Sequence, residues 1–344
     1  MVCGDRQFRE LARRTLASVT VNWRAEVAAH PSIGGFSGLG GLIYALTHSS
    51  FLLHDPELLA VAQEMVHKLP SLIPQDREFD IIGGAAGCIA GLLTLWQRVP
   101  EDEVIEKAIA CGNHLIATAT VYPSGCGWVR PDMASVALAG FAHGAAGIAW
   151  ALHNLSVATG IQSFAAHAAA AITYERTLFS EAVENWRDAR DNRGPKNEPG
   201  ASAKFATAWC HGAAGIGLSR LALLQRAEDP ALHQDLDAAV RTTRTTGFGL
   251  NHSLCHGDLG NLELLMQATQ LPEFADERES TQRIADGIIH DIDRNGPRCG
   301  IPLHVESPGL MTGLAGIGMG LLRIAAGDRV PCVPMLDSAV CTFS

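Results

Sequence analysis

GAAGIGLSRL, residues 212–221, is the stretch whose reading decides the fold of this chain. A Gly-x-x-Gly pair opens an apolar run rich in Gly and Ala. The same pattern returns as GLGGLIYAL from Gly38, GAAGCIAGLL from Gly84, GAAGIAWAL from Gly144, GDLGNLELLM from Gly257 and GLAGIGMGLLRI from Gly313. The six starts lie 45 to 68 residues apart. Each interval therefore has room for two helices of about 12–15 residues and their connections.

The segments between the glycine pairs have a different character. PELLAVAQEMVHKL (56–69) carries apolar residues at helical spacing, with Asp55 as a natural N-cap and Pro56 at the first helical position. Residues 101–118 open with an acidic first turn that suits the helix dipole, and 230–243 and 276–292 read the same way. Strand-like alternation is nearly absent, so the expected class is all-α. The helices after the glycine pairs are apolar nearly all round and suit burial on several sides, whereas those between are charged on one face. An inner ring of buried helices inside an outer amphipathic ring, an α/α toroid, satisfies both patterns. An open solenoid is the competing arrangement, but it would expose the last apolar helix, Gly313 to Ile324, without a polar cap. One domain over 1–344 is expected, with the polar stretch 180–204 as a surface loop insertion, because the repeat resumes directly after it.

Composition narrows the function classes. The 344 residues carry a net charge of −10, which argues against a nucleic-acid partner. The most basic stretch, Arg187 to Lys204, is interleaved with Asp188, Asp191 and Glu198 and reads as a solvated loop. No segment reaches the roughly 18–20 apolar residues of a membrane span, and the start MVCGDRQFRELARR lacks the apolar stretch of a signal peptide. Nine cysteines without dense spacing point to reduced thiols and a cytoplasmic setting.

Aligned on the first glycine, three repeats place chemistry in register: Ala142-His143, Cys210-His211 and Cys255-His256. At one mouth of a ring these would converge, and thiolate and imidazole are ligands that Zn²⁺ prefers. A single Cys-His-Gly could be an ordinary helix start. Two in register on a repetitive scaffold argue for a metal site assembled by tertiary structure, since the spacing matches no zinc finger. Spacing alone also permits His211 as a fourth ligand.

TAWCHGAAGIGLSR (207–220) and NHSLCHGDLGNLELL (251–265) resemble the zinc-ligand motifs of the lanthionine cyclases, the LanC-like proteins. FDIIGGAAGC (79–88), AGFAHGAAGIAWAL (139–152), YERTLFSEAVENW (174–186) and PGLMTGLAGIGMGLLRIA (308–325) are similar to the cyclase portion of class II lanthipeptide synthetases. The resemblance spans about residues 30 to 330. It implies an α/α toroid and a Zn²⁺ held by Cys210, Cys255 and His256. It also implies acid/base roles for His143 and Asp80, with Asp80 orienting or charge-stabilising the histidine. His211 is then an active-site residue beside the metal but not a ligand, which leaves a coordination position for a substrate thiol. The implied reaction adds peptide cysteine thiols to dehydroalanine or dehydrobutyrine and closes thioether rings.

Two departures accompany the resemblance. An arginine that lies four residues before the first zinc cysteine in some stand-alone cyclases is Ala206 here. The family's first of seven repeats lacks its glycine pair, leaving an incomplete ring or a substitute from Arg6 to Ala28. With no dehydratase region, the expected partners are a dehydrated precursor peptide and a separately supplied dehydratase. Two other functions keep much of this reading: addition of a small thiol such as glutathione to dehydroamino acids, and an inactive synthetase fragment that only binds peptide.

Overall fold

The computed structural model describes residues 5–190, 204–226 and 229–337; of the polar stretch 180–204, residues 191–203 lie outside the described ones. Each glycine pair opens a helix on the residue after its first glycine. These helices are Leu39–Leu53, Ala85–Arg98, Ala145–Thr159, Ala213–Leu224, Asp258–Ala268 and Leu314–Ala326. Between them run Pro56–Val66, Asp102–Thr118, Gln162–Arg176, Pro230–Thr246 and Arg278–Asn295. Asp55 caps the first of these by accepting from Glu57 N at 3.1 Å, and Asp229 caps the fourth from Ala231 N at 2.8 Å, each ahead of a proline. The N-terminal helix Arg6–Ala29 is capped by Asp5 and buries Trp23. Among the described residues the strands form two short antiparallel hairpins, Thr120–Tyr122 with Gly125–Gly127 and Phe179–Ser180 with Asn185–Trp186.

The glycine pair has a mechanical cause. A helix start leaves its first four N–H groups without intrahelical partners. Here the loop ahead of each helix curls beneath it and supplies carbonyls seven residues back: Gly41 N donates to Gly34 O at 3.0 Å, Gly87 N to Asp80 O at 3.2 Å, Gly215 N to Ala208 O at 3.2 Å and Gly260 N to Ser253 O at 3.3 Å. The curl brings backbone against the second glycine. A Cβ at Gly215 would stand 1.9 Å from Trp209 O, and one at Gly316 would stand 1.7 Å from Leu310 O, so no side chain fits.

The chain forms two compact units. The first comprises Met1–Ala119, Ala151–Ala169 and Leu336–Ser344. In it the glycine-pair helices approach closely, a Cβ at Gly91 meeting Gly40 O at 2.2 Å, and Phe36 N donates to Ile82 O at 3.0 Å between the preceding loops. The second comprises Thr120–Trp150 and Ala170–Met335. Its core includes Leu254, Leu259 and Leu262 packed with Ala285 and Ile288 of an amphipathic helix and with Ile317. Full burial of each such leucine or isoleucine stabilises by about 1.5–3 kcal/mol.

In the second unit the loops bond head to tail at one register position, two residues before each first glycine. Ala142 N donates to Cys210 O at 3.3 Å, Cys210 N to Cys255 O at 3.1 Å, and Cys255 N to Met311 O at 2.8 Å. This ladder is what places equivalent residues of successive repeats side by side.

Candidate metal centre

The ladder sets the backbones of Cys210 and Cys255 together, and their side chains follow. Cys210, Cys255 and His256 each offer one ligand atom, and all three atoms lie within 4.8 Å of one another. A tetrahedral site with Zn–S bonds of about 2.3 Å separates its ligand atoms by about 3.8 Å. Two sulfurs and an imidazole at this spacing fit Zn²⁺ in both geometry and donor chemistry. Cys210 is buried, and Cys255 and His256 are half-buried. His256 Nε2 lies 2.8 Å from Gly300 O. A carbonyl can only accept, so Nε2 carries the proton and Nδ1 is left as the electron-pair donor, the orienting arrangement usual around metal-bound histidines.

The charges at the site are coupled. The hydrogen bond from Cys255, aided by burial, pushes the Cys210 thiol well above the ordinary range. The same bond, with the nearby Arg190 charge, draws Cys255 down. His256 is raised by its hydrogen bond to Cys210. One sulfur thus takes on thiolate character readily, as a metal ligand must.

His211 follows Cys210 but is not in that trio. It is 2% exposed and hydrogen-bonds the backbone of Ala139; burial first, then the charges of Arg190 and His143, drive its pKa to about 3. It is therefore held as the neutral imidazole, and among the described residues its Nε2 has no hydrogen-bond partner. His143 is half-buried, and its ring stacks on that of His211 with centroids 5.5 Å apart. Behind it, Gly140 N donates to Glu175 Oε1 at 3.0 Å, and Glu175 Oε2 pairs with Arg220 Nη2 at 2.5 Å. Asp80 belongs to the first unit, where it is buried and accepts from Gly83 N at 2.9 Å through Oδ1.

Two groups near the site were not singled out by the sequence reading. Asp188 and Arg190, in the stretch expected to be a solvated loop, form a forked ion pair, with Arg190 Nε 2.9 Å from Asp188 Oδ1. The alternation of charge there looks like solvation, and nothing in it signals proximity to Cys210. His252 is fully buried; its Nδ1 accepts from Arg298 N at 2.9 Å and its Nε2 donates to Asp291 at 2.8 Å, which braces the loop leading to Cys255.

Comparison with known proteins identifies the family and the fold. A family model described as lanthionine synthetase C-like protein matches residues 2–335. The lacticin 481/lactococcin biosynthesis protein LcnDR2 of Lactococcus lactis subsp. lactis is 25% identical over 271 residues, covering 74% of this chain. The chain spans only 26% of the length of that curated relative. Among solved structures, nisin cyclase matches with a TM-score of 0.66 at 14% identity, covering 96% of this chain and 87% of the other. The Lin0763 protein from Listeria innocua matches with a TM-score of 0.55 at 11% identity, covering 87% and 83%. The likeness to nisin cyclase assigns the fold class, all-α of the α/α-toroid type, as the repeats led us to expect.

Proposed function

The chain belongs to the lanthionine synthetase C-like family, and from that premise we propose that it is a zinc-dependent lanthionine cyclase domain. It acts on a dehydrated precursor peptide and adds cysteine thiols to dehydroalanine or dehydrobutyrine, with dehydration supplied by a separate domain or protein. The observation that carries this reading is the convergence of Cys210, Cys255 and His256 within 4.8 Å from two repeats in register. The names of the relatives, one for lacticin 481 biosynthesis and one for nisin cyclisation, support the same substrate class.

A Zn²⁺ held by those three residues would act as a Lewis acid toward a substrate thiol, whose free pKa near 8.5 leaves it mostly protonated at neutral pH. The remaining work falls to the protein. His256 is held by Gly300 so that Nδ1 is its free electron pair. His143 has the exposure that His211 lacks, so it is the residue that hands a proton to the α-carbon after sulfur has added at the β-carbon. The buried His211, its pKa lowered to about 3, stacks on the His143 ring and adds no charge of its own beside it. For Asp80, in the first unit, an acid/base role rests on the family resemblance of its FDIIGG motif alone. No two cysteines among the described residues are joined by a disulfide, which suits action in the reducing cytoplasm. Among the described residues no helix is long and apolar enough to cross a membrane.

Mass spectrometry of a dehydrated, cysteine-containing peptide tests the reading. Ring closure leaves the mass unchanged and removes the free thiol. Incubation with glutathione in the mixture separates the other enzymatic possibility, because intermolecular addition would raise the peptide mass by one glutathione. A peptide that keeps every thiol in the presence of zinc-loaded protein would overturn the proposal.

A further inference from the structure

We propose that Arg190 is a catalytic residue of this site: its guanidinium hydrogen-bonds the carbonyl oxygen of the dehydroamino acid and takes up the negative charge that gathers there during addition. The inference rests on the cyclase reading above and names a group that reading lacks.

The geometry begins with a short ribbon. Arg187 bridges to Phe205, Asp188 N donates to Lys204 O at 2.8 Å, and Asn185 Nδ2 donates to Ala206 O at 3.1 Å. The second strand of this ribbon runs on through Trp209 into Cys210 and His211. Asp188 is thereby fixed beside the site, and it fixes Arg190 in turn. The Asp188 carboxylate accepts from Arg190 N at 3.2 Å and from Arg190 Nε at 2.9 and 3.1 Å, and it also pairs with Nη2. That fork engages one edge of the guanidinium and leaves Nη1 outside the pairing. The Arg190 side chain keeps 42% of its exposure, so it is open to a bound substrate rather than sealed in the core. Its charge bears on Cys210, Cys255, His211 and His256 together.

The chemistry needs such a group. As the thiolate sulfur forms its bond to the β-carbon, the π pair of the C=C bond moves toward the α-carbon and carbonyl, and an enolate results with charge on oxygen. A proton delivered to the α-carbon then restores the carbonyl. The thiol has lost one proton and the α-carbon has gained one, so the sum is S–H plus C=C giving C–S and C–H. Arginine suits the oxygen because it stays protonated and presents directional N–H donors, and donors already aimed at developing charge need no reorganisation during the step. The position four residues before Cys210 is Ala206, so charge does not come from there. The ribbon brings it from twenty residues before Cys210.

The test compares the 344-residue wild-type chain with Arg190→Gln and Arg190→Lys. Single-turnover cyclisation, zinc content, thermal stability and the Kd for a peptide with alanine in place of the dehydroamino acid are measured on each. Arg190→Gln should cyclise about 10²–10³-fold more slowly, the usual loss of one oxyanion donor. It should keep its zinc, its melting temperature and a Kd within about twofold, since the hydrogen bond gains most of its strength only as charge gathers on the oxygen. Arg190→Lys should recover about tenfold of that loss by restoring charge without the fork. Cyclisation by Arg190→Gln within about threefold of wild type overturns the role of Arg190 and leaves the cyclase reading standing. Loss of rate accompanied by loss of zinc or peptide binding also overturns it, in favour of a structural role. A wild-type chain that leaves the thiols free overturns the cyclase reading, and this proposal with it.

Discussion

The backbone N–H of Cys210 donates to the carbonyl oxygen of Cys255 across 3.1 Å, joining two loops whose cysteines lie 45 residues apart in sequence. The bond belongs to a ladder that repeats at the same register position in neighbouring loops, so the two sulfurs meet because the scaffold repeats. A site built this way is preformed and should bind metal without a folding transition.

Metal analysis of the purified chain should accordingly find one Zn²⁺ per chain. Cys210→Ala or Cys255→Ala should remove the metal and the activity together, because two remaining ligands hold Zn²⁺ poorly. His211→Asn should retain it, since His211 bonds the Ala139 backbone and stands outside the ligand trio. Full zinc occupancy in either cysteine variant would contradict the ligand assignment.

Much of this was legible before any coordinates, and the reason is periodicity. A glycine pair tolerates no other residue where backbone passes within 1.7–1.9 Å of its absent Cβ, as at Gly215 and Gly316, so the requirement is written into the sequence at every repeat. Cys210 and Cys255 stood out for the same reason. Asp188, Arg190 and Glu175 did not, because a charge gains its meaning only from what surrounds it after folding. Glu175 reads as one acid in an amphipathic helix, yet its side chain is fully buried. The short hairpin strands Phe179–Ser180 and Asn185–Trp186 were equally invisible, being too brief to show alternation.

Breaking the Glu175–Arg220 pair should destabilise the second unit. Both side chains are fully buried, and Arg220 also bonds Asp235 at 2.9 Å through Nε. Burial lifts the Glu175 pKa while Arg220 opposes the lift. Glu175→Ala leaves the guanidinium short of one partner and the Gly140 N–H without its acceptor. A loss of about 3–5 kcal/mol is expected by urea denaturation, and the Arg220→Met, Glu175→Ala double variant should recover part of it. A single-variant loss below about 1 kcal/mol would mean that the pair is not intact in solution.

Stability of the first unit should depend on pH through His48. Burial, followed by the charge of Arg98, lowers its pKa, with only a hydrogen bond to the Asp337 backbone acting the other way. The neutral form is thus favoured in the folded chain. Below the ordinary value of 6.5 the unfolded chain takes up a proton that the folded chain does not, so stability falls as pH drops through that value toward the lower folded one. His48→Gln should shrink the difference in melting temperature between about pH 7.5 and about pH 5.5. An unchanged difference would show that other groups carry the dependence.

The proton delivery step places the final demand on His143. Ala142 N donates to Cys210 O at 3.3 Å, which seats the next residue, His143, against the centre's own loop. Its ring lies 5.5 Å from that of His211. The two differ in their surroundings: His211 is buried and its pKa is lowered to about 3, whereas His143 is half-buried and is the residue proposed to reach the substrate. His143→Asn should therefore slow cyclisation by about 10²–10⁴-fold, the usual size of a general acid contribution. It should leave zinc content unchanged, because His143 is not among the three convergent ligands. Asparagine keeps a polar side chain of similar reach, so a loss of rate would reflect proton transfer rather than packing. Steady-state and single-turnover rates with a dehydrated peptide, measured beside zinc content, check this. A His143→Asn protein that cyclises as fast as wild type would move the proton donor elsewhere, with Asp80 the next residue to replace.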